Sequence, residues 1–342
     1  MISLSRLVDV LKCLKHRLTA WLLVLRLRRE ARQAFAYDRR QFMSNAGALH
    51  LDRKAAACAE IVMGYHVLEK GLTMPHRRME FGRGAIVHLI NLIESFEKRF
   101  GGDSQVTHAV GVLRAYRDLH VGQSLKVMPR LESFLAAHPD VPAAHEPHVS
   151  REVFYAAREA SFPEFASSRH VVRHFAGPVP REKIEAAVRL ATTAPSACNR
   201  QHVRVHAVDD PVVRTRLLEL QGGTRGFGAD ADKVLVVTAD LSSVRWAWER
   251  HDIYTNGGIF VMNLSYSLFY QGIAHCILHW SVPPSTDRSA RKLLGLPDNE
   301  AIVQLFACGQ PPEEFDVAAS PRRPLEDILS WYEGSRPDGN MA

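Results

Sequence analysis

Apolar positions recur every three to four residues through SRLVDVLKCLKHRLTAWLLVLRLRREARQAF, so a basic helical segment is predicted over residues 1–45. It reads as a docking or packing helix, the other readings being weak peripheral membrane contact or a partner site. The helical period resumes in LDRKAAACAEIVMGYHVLEK, where Gly71 and then Pro75 form a stop signal. Two more helical patterns follow, GAIVHLINLIESFEKRFGG and VTHAVGVLRAYRDLHVG, which makes the first half all-helical. AAHPDVPAAHEPHV, residues 136–149, loses all periodicity, and the domain boundary is drawn there: a helical region over 1–150 and a second domain over 151–342.

Beyond that boundary the pattern alternates. VPREKIEAAVRLATTA is helical, with Pro180 suited to a first turn. VRVHAV is strand-like, PVVRTRLLEL helical, and KVLVVTAD a buried strand. A long helix is expected to begin near Gly257, followed by the strand IAHCILHW, a short helix around DRSARKLLG and the strand AIVQLFACG. This is an α+β arrangement, a central sheet with helices laid against it.

At 342 residues, 46% hydrophobic and 23% charged, the chain has the balance of an ordinary globular protein able to bury its own core. No stretch reaches the roughly eighteen apolar residues that a bilayer span needs. LTAWLLVL (Leu18–Leu25) is short for a secretory segment and lacks a small-residue cleavage site, so a cytoplasmic location is expected. The five cysteines are odd in number, widely spaced and free of CxxC, which argues against a disulfide framework or a zinc knuckle. A net charge of +6 is compatible with a polyanionic partner and equally with a phosphate-bearing cofactor.

Three places in the second half carry polar residues that a core does not need. SSRHVVRHF (Ser167–Phe175) sets Arg169 and Arg173 four apart, and His170 and His174 likewise. ATTAPSACNRQHV ends a helix at Pro195 and then presents Ser196, Asn199 and Gln201. SPRRPLEDIL places Arg322 and Arg323 before another helical turn. Singly these read as a solvated basic segment, ordinary turn chemistry and surface charge.

Together, in order and spacing, they resemble the FMN-dependent nitroreductase-like flavoproteins. That family's pattern is an RRSVRxF segment, PSxxNxQPW, a DxGxxxxNL helix, a GL strand, a GxP strand end and a late basic motif. The corresponding stretches here are SRHVVRHF, PSACNRQHV, NGGIFVMNL, GIAHCILHW, CGQPPE and PRRPLEDIL, over about residues 165–335. The resemblance implies that Arg169 and Arg322 hold the FMN phosphate, with His170, Arg173 and Arg323 beside them, guanidinium groups being matched to such a dianion. It implies that Asn199 and Gln201 meet the flavin ring and ribityl. Pro195 and Ser196 would reach the flavin of the other subunit of a homodimer. Backbone amides at His279 and Trp280 would lie near flavin N5. The implied reaction moves hydride from NADH or NADPH through the flavin to an unidentified small-molecule acceptor, the cofactor supplying the chemistry. Val171 replaces the family's usual Ser, His202 its Pro and Val203 its Trp. The alternatives are a non-catalytic relative that binds a ligand or partner in the same cleft, and a flavin-dependent dehydrogenase using oxygen.

Other features have plainer readings. His275 and His279 lie on a predicted strand without HExxH or a neighbouring carboxylate, so no metal site is expected. His202 and His206 alternate with Val203 and Val205 and would share a solvated or cleft-lining face. GGTRGFGAD has neither dinucleotide nor Walker spacing and reads as a mobile loop. His66 and Glu69 would be neighbours on a helix face, with Arg77, Arg78 and Glu80 after the break. That segment reads as a structural helix or as a lid over the flavin. Nucleic-acid binding is not expected, because no base-reading motif is present and aromatic residues do not interleave with the basic ones.

Overall fold

The structure, a computed structural model, describes residues 4–75, 77, 79–123, 125–144 and 147–332. Internal contacts divide the chain into two compact units. One combines the segment ending at Leu49 with His148–Phe315; the other combines His50–Pro147 with the segment beginning at Asp316. The partition is not linear. The first helix groups with the sheet, and the stretch carrying Arg322 and Arg323 groups with the helical unit.

Helix α1, Leu4–Asn45, is 42 residues long, about 63 Å at the α-helical rise. Its C-terminal half docks within its own unit: Asp38 accepts from Arg250 at 2.5 and 2.6 Å, and the Arg26 guanidinium lies 5.0 Å over the Trp246 ring. Toward the other end Leu14, Leu18, Trp21 and Leu22 remain more than half exposed. Among the described residues no helix is long and apolar enough to cross a membrane.

The helical unit contains α2 (Lys54–Leu72), α3 (Arg83–Phe100), α4 (Ser104–Leu119) and α5 (Met128–Ala136). Cys58, Ile61, Tyr65, Leu68 and Leu72 form one buried stripe of α2 and meet Ile86, Leu89, Ile90 and Ile93 of α3 and Val110 and Leu113 of α4 in a single core. Asp103 caps α4 by accepting from the Gln105 N–H at 3.0 Å. Helix α2 closes at Leu72, one residue past Gly71 and before Pro75; an added Cβ at Gly71 would sit 2.2 Å from the Phe81 ring, so its missing side chain also makes room for that ring.

The sheet unit continues with β1 (His148–Ser150), α6 (Arg151–Tyr155), α7 (Phe162–Ser168), α8 (Arg181–Ala191), β2 (Val203–Val208), α9 (Pro211–Gln221) and β3 (Lys233–Asp240). It is completed by α10 (Asp252–Tyr270), β4 (Ala274–His279), α11 (Pro284–Leu294), β5 (Glu300–Gly309) and the short β6 (Glu314–Asp316), which pairs with β1. The main sheet has the order β2-β3-β5-β4, every neighbouring pair antiparallel. Leu235 and Val237 of β3 and Phe306 and Cys308 of β5 bury against Ile184 and Ala187 of α8 and Phe260, Leu264 and Leu268 of α10. Both Val203 and Val205 turn to the same face.

Helix α10 starts five residues earlier than its glycine pair predicts. Gly257 sits within it, where a Cβ would approach the Val303 methyls at 2.8 and 2.9 Å, so the glycine sets how closely the helix lies on β5. Pro180 stands at the N-cap of α8 rather than in its first turn. The GGTRGFGAD stretch is anchored instead of loose, with Thr224, Phe227 and Gly228 buried.

Candidate functional site

Antiparallel pairing places the start of β2, the end of β3, the start of β5 and the end of β4 at one end of the sheet. Two connections leave there: the 192–202 loop entering β2 at one edge and the turn after His279 at the other. Two strands separate these edges, so the loops stand about 14 Å apart at the usual strand spacing.

The 192–202 loop holds an uncommon backbone. Cys198, Asn199 and Gln201 all have positive φ, at 53°, 54° and 49°. Asn tolerates this region, whereas Cys and Gln gain nothing from it, and each left-handed residue costs about 1–2 kcal/mol. Surrounding bonds impose the shape. Ser196 Oγ accepts from the Gln201 N–H at 3.0 Å, Asn256 Oδ1 from the Ala197 N–H at 3.3 Å, and Arg200 pairs with Glu249 at 2.6 Å. That guanidinium holds the Glu249 carboxyl at about 2. The strain leaves the Asn199 and Gln201 side chains exposed, on a loop with few alternative conformations.

Beside the loop is a small cavity of about 120 Å³ lined by Pro195, Ser196, Gln201, Val203, Asn256 and Phe260. Asn256 is 6% exposed, and its Nδ2 is buried without a hydrogen-bond partner among the described residues. An orphaned buried amide donor is rare and calls for an acceptor from outside the fold. Sequence reasoning passed over Asn256, although the polar residue heading NGGIFVMNL was the available signal.

At the other edge His279 and Trp280 line a cleft of about 770 Å³ with Tyr254, Asp287, Arg291 and Gln304. The Trp280 indole donates to Asp287 at 2.8 Å, and the His279 ring accepts from the Ser281 N–H at 3.2 Å. His279 itself faces solvent. Gln304 stands opposite it in the β4/β5 register.

Residues 169–177 run extended from α7 along the far end of the sheet. The Val172 N–H donates to the His275 carbonyl at 3.0 Å and the Ala176 N–H to the Gln310 carbonyl at 2.8 Å. Val172 and Phe175 are buried, while Arg169, His170, Val171 and Arg173 are half-buried. His275 is buried, bonded to the Ser265 hydroxyl at 2.8 Å. Burial, with the Arg169 charge adding to it, holds its imidazole down at about 4. Within one chain the Arg169–Arg173 run and the 192–202 loop thus lie at opposite ends of the sheet, roughly six residues or about 20 Å of strand apart.

The two histidines differ. His202, just before β2, is 5% exposed, with burial lowering its pKa, whereas His206 within β2 is partly exposed and bonds Glu300 at 2.8 Å and Thr238 at 3.2 Å. Arg322 and Arg323 lie in the helical unit. There Arg322 donates to the Ser320 carbonyl, and Arg323 to Cys58 Sγ at 3.1 Å and to Asp327 at 3.4 Å. Arg78 lies outside the described residues.

Residues 166–224 match the family model described as the Nitroreductase family. The nitroreductase-family match thus lies in the C-terminal half, and the matched residues include both the Arg169–Arg173 run and the strained loop. Among curated proteins, iodotyrosine deiodinase from Nematostella vectensis is 24% identical over 215 residues, spanning 55% of this chain and 81% of that protein. Iodotyrosine deiodinase 1 from Pongo abelii is 25% identical over 215 residues, spanning 55% and 74%. Among solved structures, the NADPH:FMN oxidoreductase from Vibrio harveyi complexed with NAD+ aligns with a TM-score of 0.44 at 18% identity, over 52% of this chain and 79% of that one.

Proposed function

We propose that the sheet unit is an FMN-dependent oxidoreductase that takes hydride from NADH or NADPH and passes it to a small-molecule acceptor. The observation that carries this reading is the orphaned Asn256 amide in a cavity walled by Ser196 and Gln201, inside a strained loop that falls within the family match. A carbonyl edge fits that cavity in both size and chemistry. It would satisfy Asn256 Nδ2 while the exposed Asn199 and Gln201 amides supply further donors and acceptors. When bound, FMN supplies the two-electron chemistry. The protein's part is to hold the ring edge, exclude water and place donors where charge builds up.

The phosphate is assigned to Arg169 and Arg173, with His170 beside them and Val171 contributing backbone only. Because this run and the loop occupy opposite ends of one sheet, a complete site needs the loop of a second copy. That supports a homodimer in which Pro195 and Ser196 close over the partner's flavin. The turn at His279 and Trp280, with its 770 Å³ cleft, is the proposed entry for nicotinamide and acceptor. Relatives named iodotyrosine deiodinase make iodotyrosine the first acceptor to assay. A cytoplasmic protein of this kind would draw on the NAD(P)H pool directly.

The test is the absorption spectrum of the purified chain, mass identification of what denaturation releases, and stopped-flow bleaching by NADH and NADPH. Bound FMN that bleaches on mixing is the expected result. A colourless protein that refuses added FMN overturns the reading. Flavin retained without bleaching would mark a binding protein of the same fold.

A further inference from the structure

We propose that the helical unit holds a second ligand site, a cleft that binds a small organic anion carrying an apolar group. The cleft encloses about 540 Å³, within the range of small-molecule pockets. Its walls come from one face of α2, the start of α4 and the Ser320–Arg323 turn. The proposal stands on this unit alone and does not depend on the flavin reading.

Glu69 organises the floor. It is 1% exposed, yet its oxygens are fully engaged: Oε1 with His108 Nε2 at 3.1 Å and the Ser320 N–H at 3.1 Å, Oε2 with His66 Nδ1 at 3.4 Å. These contacts keep the carboxylate ionised, at about 2, against the burial that opposes it. Three hydrogen bonds spread over both oxygens hold its lone pairs inside the protein, so the carboxylate is not offered to the cleft as an acceptor. The bond to Oε2 uses Nδ1 of His66 and leaves Nε2, on a side chain 47% exposed that lines the cleft, to donate when the ring carries both protons.

The rim is basic and the wall is oily. Ser320 adopts φ 45°, and its N–H is tied to Glu69, which fixes the turn from which Pro321, Arg322 and Arg323 project. Arg323 is engaged with Cys58 and Asp327; Arg322, exposed and donating through one nitrogen to the Ser320 carbonyl, has its remaining guanidinium N–H groups to offer a carboxylate or phosphate. Tyr65 donates to Gln105 Oε1 at 2.7 Å, which leaves the Gln105 amide N–H groups to donate. Val62 and the exposed Met63 complete an apolar wall. A cationic rim over an apolar wall selects an amphiphilic anion rather than a bare one.

The full-length protein is titrated calorimetrically with inorganic phosphate, phenyl phosphate and benzoate. Saturable binding of either aromatic anion, at least tenfold tighter than inorganic phosphate, is expected. Arg322→Ala and His66→Ala, both changes at exposed side chains, should each weaken it tenfold or more. Arg169→Ala should leave it unchanged, and bound flavin should be unaffected by Arg322→Ala. No saturable binding, or equal affinity in Arg322→Ala, overturns the proposal. Loss of flavin from Arg322→Ala with anion binding intact also overturns it, by giving Arg322 to the flavin phosphate.

Discussion

Each unit buries a glutamate, and the two burials rest on different kinds of structure. Glu300, 2% exposed at the start of β5, takes the Thr238 hydroxyl at 2.7 Å, His206 at 2.8 Å and Arg204 at 2.8 Å. Thr238 lies on the adjacent strand β3, and Arg204 and His206, two apart on one face of β2, reach across it, so pairing the strands delivers the partners automatically. Glu69 instead is held by His66 of its own helix, His108 of α4 and the Ser320 N–H, side chains and backbone that no strand ladder aligns, and it borders a cleft. A carboxylate satisfied within a sheet belongs to that sheet's architecture, whereas one held by helix and turn groups beside a cavity marks a place to look for a ligand.

The largest expected effect breaks that comparison if it fails. Glu69→Gln should cost about 3 kcal/mol in urea unfolding, because it removes the buried charged acceptor shared by His66, His108 and the Ser320 N–H. Glu300→Gln should cost about 1 kcal/mol, since Arg204 keeps Asp240 at 3.1 Å and both Arg204 and His206 reach water. Equal losses would erase the distinction.

Next, Gly257→Ala should destabilise the sheet unit by about 2 kcal/mol, because the new methyl meets Val303 too closely for either backbone to yield. Thermal unfolding monitored by circular dichroism reads this directly.

A pH series sharpens the account of Glu69. Its carboxyl is held at about 2 in the fold against an ordinary 4.5, so the unfolded chain binds the proton more readily. The stabilisation is complete above pH 4.5 and is lost as pH falls toward 2. Urea midpoints between pH 5 and pH 3 should therefore fall less steeply in Glu69→Gln than in the parent.

The smallest effect has the opposite sign. Gln201→Gly relieves a left-handed residue and should raise stability by about 1 kcal/mol while weakening FMN retention, the expected exchange at a strained binding loop. A gain in stability with flavin binding unchanged would detach the loop's shape from the proposed function.

Much of this was written in the one-dimensional pattern. The stripe of Cys58, Ile61, Tyr65, Leu68 and Leu72, the strand runs VRVHAV and KVLVVTAD, and the polar cluster Pro195–Gln201 are all local, and locality is what periodicity and turn chemistry report. Gly257 serves packing rather than the start of its helix: it yields to Val303, a partner that no window around it contains, and Gly71, next to the end of α2, also makes room for Phe81. The same reason hid the rest. That Arg322 and Arg323 belong with Cys58 and Glu69's unit, that Asn256 braces the 192–202 loop, and that His108 and Ser320 converge on one carboxylate are facts of long-range contact. Neighbours in sequence determined the elements, and only the folded chain, by bringing distant segments within hydrogen-bond reach, decided which charges share a site.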